Sequence, residues 1–268
     1  MDITKEKFDL IVSLGEDCAC SSYLRKFNLQ NASYPFDWLT KADFKTRIML
    51  LLTDFKDFLN KEDLKIMNKP TGVITDDKCD YYENLKTGFY FYHDFYSDVE
   101  FFEMYNMVFE KYQRRIKRLY EKIEKSQKVL FVWLMRSINA TDDELLTYQK
   151  QIEKKFQKSK VYLLVLENCI DANNSENISE VKISDNIIKL KYDTMAYDIT
   201  NPSLKWLGNI ALNDKVFSKL KLKQHRNNFL INAMFNCLVK LPIAIFIRDS
   251  KKRRTIREKI KNRIFNYG

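Results

Sequence analysis

Apolar runs of strand length alternate with amphipathic stretches of helical period along most of this chain. Residues 8–14 form a nearly unbroken apolar run that stops at Gly15, and a helix-like segment with Tyr23, Leu24 and Phe27 follows over 18–27. Over 43–59, Phe44, Ile48, Leu51, Leu52, Phe55 and Leu59 fall on one helical face. Residues 60–85 are polar and punctuated by Pro70 and Gly72, which predicts a loop with short pieces. Phe89, Phe91 and His93 then alternate with Tyr90, Tyr92 and Asp94, as a strand requires. Ser97-Asp98-Val99-Glu100 has the pattern of a capping box and predicts a long helix to about residue 125. An apolar strand is expected at 129–134. A second capping box, Thr141-Asp142-Asp143-Glu144, predicts a helix to about 157, and strands follow at 161–166 and 187–192.

Strand–helix–strand alternation predicts an α/β fold, a mostly parallel sheet flanked by helices in a three-layer, Rossmann-like or hydrolase-like arrangement. The wholly apolar strands at 129–134 and 161–166 suit a sheet covered on both sides. In such sheets ligands bind beyond the carboxyl ends of the strands. Cys18 follows the first strand, Arg136 to Asn139 follow the strand at 129–134, and Glu167-Asn168 follow the next. These residues are therefore expected at one edge. No internal repeat is visible.

Composition narrows the class. Hydrophobic content of 45% with 14% aromatics excludes a disordered chain, and five Gly and four Pro argue against a loop-rich β sandwich. The net charge of +10 is uneven: 15 of the 46 basic residues lie in 215–268 beside only Asp249 and Glu258, so the preceding body is slightly acidic. This predicts a body over 1–214 and a strongly basic helical extension over 215–268. In the extension, Asn228, Asn232, Asn236 and Lys240 make a narrow polar stripe against a broad apolar face, and Lys251-Lys252-Arg253-Arg254 follows. Polar residues and Pro242 interrupt the apolar run, which argues against a transmembrane span. An interfacial helix on an anionic membrane surface, over 228–263, and a helix docked on the body are both compatible with that pattern.

Five scattered cysteines with no CxxC pair give a zinc site little support and fit a reducing compartment. The first seven residues lack an apolar signal-peptide core, so a cytoplasmic location is expected, with the membrane surface as an option. No Gly-x-Gly-x-x-Gly or Walker loop is present, and aromatics do not interleave with basic residues as on an RNA platform. No cofactor, metal or nucleic acid is expected.

Cys18 is the candidate for chemistry. A thiol on the first turn of a helix, after a strand, has amides and a helix dipole that favour the thiolate, while Glu16 and Asp17 push its pKa back up. The competing structural interpretation is a buried inert cysteine. A cysteine nucleophile needs a base, and the chain has two histidines, His93 and His225. Asp94 adjoins His93 but faces the other side of a strand, so Asp37 is the better orienting group, or else caps a helix starting at Trp38. Backbone amides of Cys18 and Ala19 are candidates for an oxyanion hole. Gly15 and Trp38 are expected to line the substrate site. Arg114 and Arg115 are expected either to bind an anionic group or to form a solvated face. Cys20 is expected to pack.

Ser13-Leu14-Gly15-Glu16-Asp17-Cys18, Tyr23-Leu24-Arg25, Ser33-Tyr34-Pro35-Phe36-Asp37-Trp38-Leu39, Thr87-Gly88-Phe89-Tyr90-Phe91 with His93-Asp94-Phe95, and Arg114-Arg115-Ile116 with Arg118-Leu119 together carry a family likeness. The chain resembles, over about 8–166, a bacterial family of unknown function described as papain-like cysteine peptidases. Beyond that stretch only Trp206-Leu207-Gly208 is similar. The resemblance implies a cysteine-centred site and favours His93 as partner of Cys18. A papain fold is α+β with its cysteine on a central helix, whereas the alternation here predicts α/β. The resulting expectation is a cysteine-dependent hydrolase acting on a peptide or other acyl-type substrate. The alternatives are a surface-polysaccharide accessory transferase at the inner membrane face and a non-catalytic binding module.

Overall fold

In this computed structural model the described residues are 3, 5–30, 32–68, 78–137, 140–169 and 177–223. The chain divides into two compact units, Met1–Leu222 and Lys223–Gly268. His225 and the predicted membrane-facing helix over 228–263 lie outside the described residues. In chain order the elements are β1 (Lys7–Phe8), β2 (Leu10–Gly15), α1 (Cys18–Lys26), β3 (Leu39–Lys41), α2 (Phe44–Leu52), β4 (Leu64–Met67), β5 (Cys79–Asn84), β6 (Phe89–Tyr96), α3 (Phe101–Glu124), β7 (Lys128–Leu134), α4 (Asp142–Lys155), β8 (Lys160–Asn168), β9 (Ser179–Ser184), β10 (Ile187–Tyr192), α5 (Ile210–Phe217) and β11 (Lys221–Leu222). The compact unit thus runs past the expected boundary at 214, which falls inside α5.

The central sheet has the order β2-β7-β8-β10-β9. Its first four strands are parallel, and β9 closes the edge antiparallel to β10. Side chains alternate across each strand, so β7 sends Val129, Phe131 and Trp133 into one apolar cluster and Leu130, Val132 and Leu134 into another. The first cluster takes in Phe44 and Ile48 of α2, Val108 and Tyr112 of α3, and Leu145 and Ile152 of α4. The second takes in Ala19, Tyr23 and Leu24 of α1 with Val216 and Phe217 of α5. The unbroken apolar runs in the sequence follow from this double covering.

Beside it stands an antiparallel sheet of order β3-β6-β5-β4. Two of its strands lie in the stretch expected to be loop. β4 is an edge strand with no buried residue, and β5 mixes Cys79 and Tyr81 with Asp80 and Glu83, so neither carries a clean apolar alternation. β9, exposed along most of its length, was equally silent. The helix expected over 43–59 stops at Leu52. Asp54, Phe55 and Asp57 adopt left-handed backbone angles, so Phe55, Phe58 and Leu59 reach the core through turns. The long helix α3 starts later than expected because Glu100 caps it, accepting from the N–H groups of Phe102 and Glu103, while Ser97 donates instead to Asp80. The capping box at Thr141–Glu144 forms as expected.

Candidate active site at the carboxyl edge of the parallel sheet

Cys18 is the first residue of α1, directly beyond the carboxyl end of β2. Asp17 caps the helix, its Oδ1 accepting the Ala19 N–H at 2.9 Å. That bond removes the Ala19 amide from the expected oxyanion hole and leaves the Cys18 amide. The thiol is pushed up to about 12, first by burial and then by the Asp17 charge, with its own backbone N–H and Arg136 pulling the other way. At rest it is a neutral thiol.

The turn before Cys18 is held on three sides. The Glu16 carboxylate accepts the backbone N–H of Arg136 at 2.7 Å and of Ser137 at 3.1 Å, and the Ser137 hydroxyl at 2.7 Å. This locks the end of β2 to the end of β7. From the other side comes Arg47 of α2, a fully buried guanidinium that donates to the carbonyls of Glu16 and Lys41. Its Cζ lies 4.7 Å from the ring centre of Phe89, 5.2 Å from that of Trp133 and 5.7 Å from that of Phe36. Burial lowers its pKa to about 9, opposed by Glu16 and Asp17. Gly15 has φ +97°, and a Cβ there would stand 2.6 Å from Arg47 Nη1. Gly15 therefore lets the guanidinium approach the turn, a closer role than lining a substrate site. The third support is Arg136. Its Nε bonds Asp17 Oδ2 at 3.1 Å, and its Nη atoms donate to the carbonyls of Thr194, Trp206 and Leu207. Asn168, the last residue of β8, ties Arg136 O to Thr194, so residues at or beyond the ends of β2, β7, β8 and β10 do meet at one edge.

A second group surrounds the far end of α1. Trp38 is stacked by Arg25, whose Cζ lies 4.8 Å from its ring, and meets the His93 ring edge-on at 6.4 Å. His93 is exposed. Among the described residues no hydrogen bond joins it to Cys18 or Asp37. In β6 the register slips: Asp80 faces Phe95 and Tyr82 faces Phe91, so Tyr81 alone opposes residues 92–94. This bulge turns both Tyr92 and His93 away from the core and sends Asp94 inward to the Tyr112 hydroxyl and Lys111. The simple alternation expected here is broken. Burial raises the Tyr92 pKa, the Thr40 side chain lowers it, and Cys18 is among the groups whose charge would raise it further.

Asp37 is fully buried and does not start a helix. Its carboxylate accepts the Tyr34 N–H at 2.8 Å and the Gln30 amide, with Arg25 at 3.7 Å. Burial raises its pKa to about 6 against these contacts. Through Oδ2 it holds the Ser33–Trp38 turn, while its buried Oδ1 has no hydrogen-bond partner among the described residues. Ser21 Oγ links this turn to α1, bonding the carbonyls of both Cys18 and Asp37. Arg114 is exposed and paired with Glu110, one turn away on α3. Arg115 lies over Tyr112 at 5.2 Å and acts on Asp37 and Arg25. Neither joins the Cys18 edge. Cys20 is buried and directed at the Val132 carbonyl, as packing requires.

Sequence reasoning missed Arg47 and Tyr92. Arg47 had a signal, a lone cation on the helix face that also carries Phe44, Ile48 and Leu51. Tyr92 had none, because its orientation depends on the bulge. Among the described residues no cluster of three metal-ligating side chains occurs.

The chain is 27% identical over 134 residues to "Uncharacterized protein R408" of Acanthamoeba polyphaga mimivirus, a match that covers 46% of this chain and 60% of that protein. It thus spans under two thirds of that relative, which is viral although the sequence likeness was to a bacterial family. No solved structure matches. A family model described as "Putative papain-like cysteine peptidase (DUF1796)" matches residues 9–170. That stretch opens at β2, contains the Gly15–Cys18 turn, the Asp37 turn, the β6 bulge and Arg136, and closes beyond β8; the chain belongs to this family of papain-like cysteine peptidase description.

Proposed function

We propose that the chain is a cysteine-dependent hydrolase of peptidase type, with Cys18 as nucleophile and His93 as general base, on a three-layer, hydrolase-like scaffold. The observation that carries it is the Cys18 turn, a thiol on the first turn of a helix at the carboxyl edge of a parallel sheet, held by Glu16, Arg47 and Arg136. Because the resting thiol is neutral, its proton leaves during attack rather than before it. Sγ bonds to the acyl carbon as the thiol proton passes to the imidazole. The C–N bond then breaks and the proton passes on to the leaving amine. Water hydrolyses the thioester and regenerates the thiol. The Cys18 N–H is the amide available to the developing oxyanion, at the dipole end that favours negative charge.

Acyl transfer is tested with p-nitrophenyl acetate and peptide anilides, reading released chromophore and acylated Cys18 by mass spectrometry. Cys18→Ala is expected to abolish both signals, and His93→Ala to slow turnover by about 10²- to 10⁴-fold. Turnover that survives Cys18→Ala overturns Cys18 as nucleophile, and the absence of any turnover or acylated Cys18 in the wild type leaves a binding module.

A further inference from the structure

The segment joining β10 to α5, residues 193–209, has been assigned nothing so far beyond supplying carbonyls to Arg136. It is also unusually apolar at its surface. Among the described residues thirteen large hydrophobic side chains are exposed, and five of them, Met195, Tyr197, Ile199, Leu204 and Trp206, fall within twelve positions here. Ile199 is 81% exposed and Trp206 43%. Apolar clustering of this kind on a loop marks a binding surface more often than a packing defect.

The strap is fixed at both ends to the Cys18 turn. Arg136 donates to Thr194 O at the start, and to Trp206 O and Leu207 O at 3.2 Å each near the end. Its Nη1 also meets Met195 Sδ at 3.5 Å, while its Nε holds the Asp17 carboxylate. The Tyr23 hydroxyl of α1 bonds Leu207 O at 3.2 Å. Gly208, with φ +66°, permits this closeness, because a Cβ there would collide with Thr194 O and Arg136 Nη1. One guanidinium therefore separates an exposed apolar surface from the residue preceding the thiol.

We propose that residues 195–206 form an acyl-side subsite that takes an apolar group of the substrate whose acyl carbon Cys18 attacks; this rests on the assignment of Cys18 as nucleophile. The charges of the strap favour a substrate over a membrane. Asp193 and Asp198 outnumber Lys205, whose ammonium is already over the Tyr197 ring at 5.0 Å, so the strap lacks the basic excess that draws a loop to anionic lipid.

The full chain is assayed with p-nitrophenyl acetate and p-nitrophenyl octanoate, subtracting the Cys18→Ala background. The octanoate-to-acetate ratio of kcat/KM is expected to exceed that of free N-acetylcysteine by roughly tenfold or more, and to return to the free-thiol ratio in Ile199→Ser/Leu204→Ser. A wild-type ratio equal to the free thiol's, with acetate still turned over through Cys18, overturns the subsite alone. Loss of Cys18-dependent acetate turnover overturns the nucleophile assignment instead. Sedimentation with phosphatidylcholine–phosphatidylglycerol vesicles that the double variant loses, with both ester ratios at the free-thiol value, assigns the strap to a membrane and also overturns the subsite.

Discussion

The thiol of Cys18 has one charged neighbour that works against it. Asp17 caps the helix and, after burial, does most to keep the proton on sulfur. Asn caps a helix about as well without the charge. Asp17→Asn should therefore quicken iodoacetamide labelling of Cys18 at pH 9 several-fold, read by mass spectrometry of the Cys18 peptide. An unchanged rate would show that burial alone holds the proton. Asp37 gives a prediction of different sign. Its pKa is raised by burial, so its protonated form stabilises the fold below about pH 4, and that contribution is lost as pH rises through about 6. Urea unfolding should show the midpoint of wild type falling relative to Asp37→Asn across that interval. A constant difference would mean that Asp37 keeps an ordinary pKa. Cys18 and its turn were legible from residue types and order. The inward commitment of Asp37 was not, because a buried turn carboxylate and an orienting carboxylate look alike in one sequence.

At the scale of elements, α1 is the beam that joins the two groups of site residues. Cys18 stands at its start, Tyr23 anchors the strap, and Arg25 near its end stacks on Trp38. Two glycines separate backbone from packing effects. Gly208→Ala drives a methyl group into Arg136 and Thr194, whereas Gly88→Ala, also at positive φ, meets no atom within 4 Å. Gly88→Ala should cost about 1 kcal/mol, the left-handed backbone term, and Gly208→Ala appreciably more, a further fall in Tm of several degrees by calorimetry. Equal falls would mean that the Arg136 cradle adjusts freely. Helices with capping residues and apolar stripes were readable, α4 above all. The β6 bulge was not, since nothing in Tyr-Phe-Tyr-His-Asp-Phe marks where three residues will oppose one.

For the whole molecule, the first compact unit contains the sheet, the site and the family match, and the second begins at Lys223. The basic excess of 215–268 falls mostly in the second. Among the described residues no helix is long and apolar enough to cross a membrane. The proposal that residues 228–263 meet an anionic membrane surface predicts that the full chain co-sediments with phosphatidylglycerol vesicles at low salt and that a chain ending at Leu222 does not. Equal sedimentation of the two would remove the extension from that role. The sequence by itself determined the parallel strands, the helices between them and the position of Cys18 beyond the first strand, because burial on both faces writes itself as unbroken apolar runs and local caps write themselves as short motifs. Only the tertiary structure decided that Arg47 and Arg136 brace the Cys18 turn, that Asp37 bonds within its own loop through Oδ2, and that an apolar strap is tied through Arg136 to Asp17. Each of these joins residues between 7 and 119 positions apart through a buried charge or a backbone carbonyl, and such contacts leave no period in the chain.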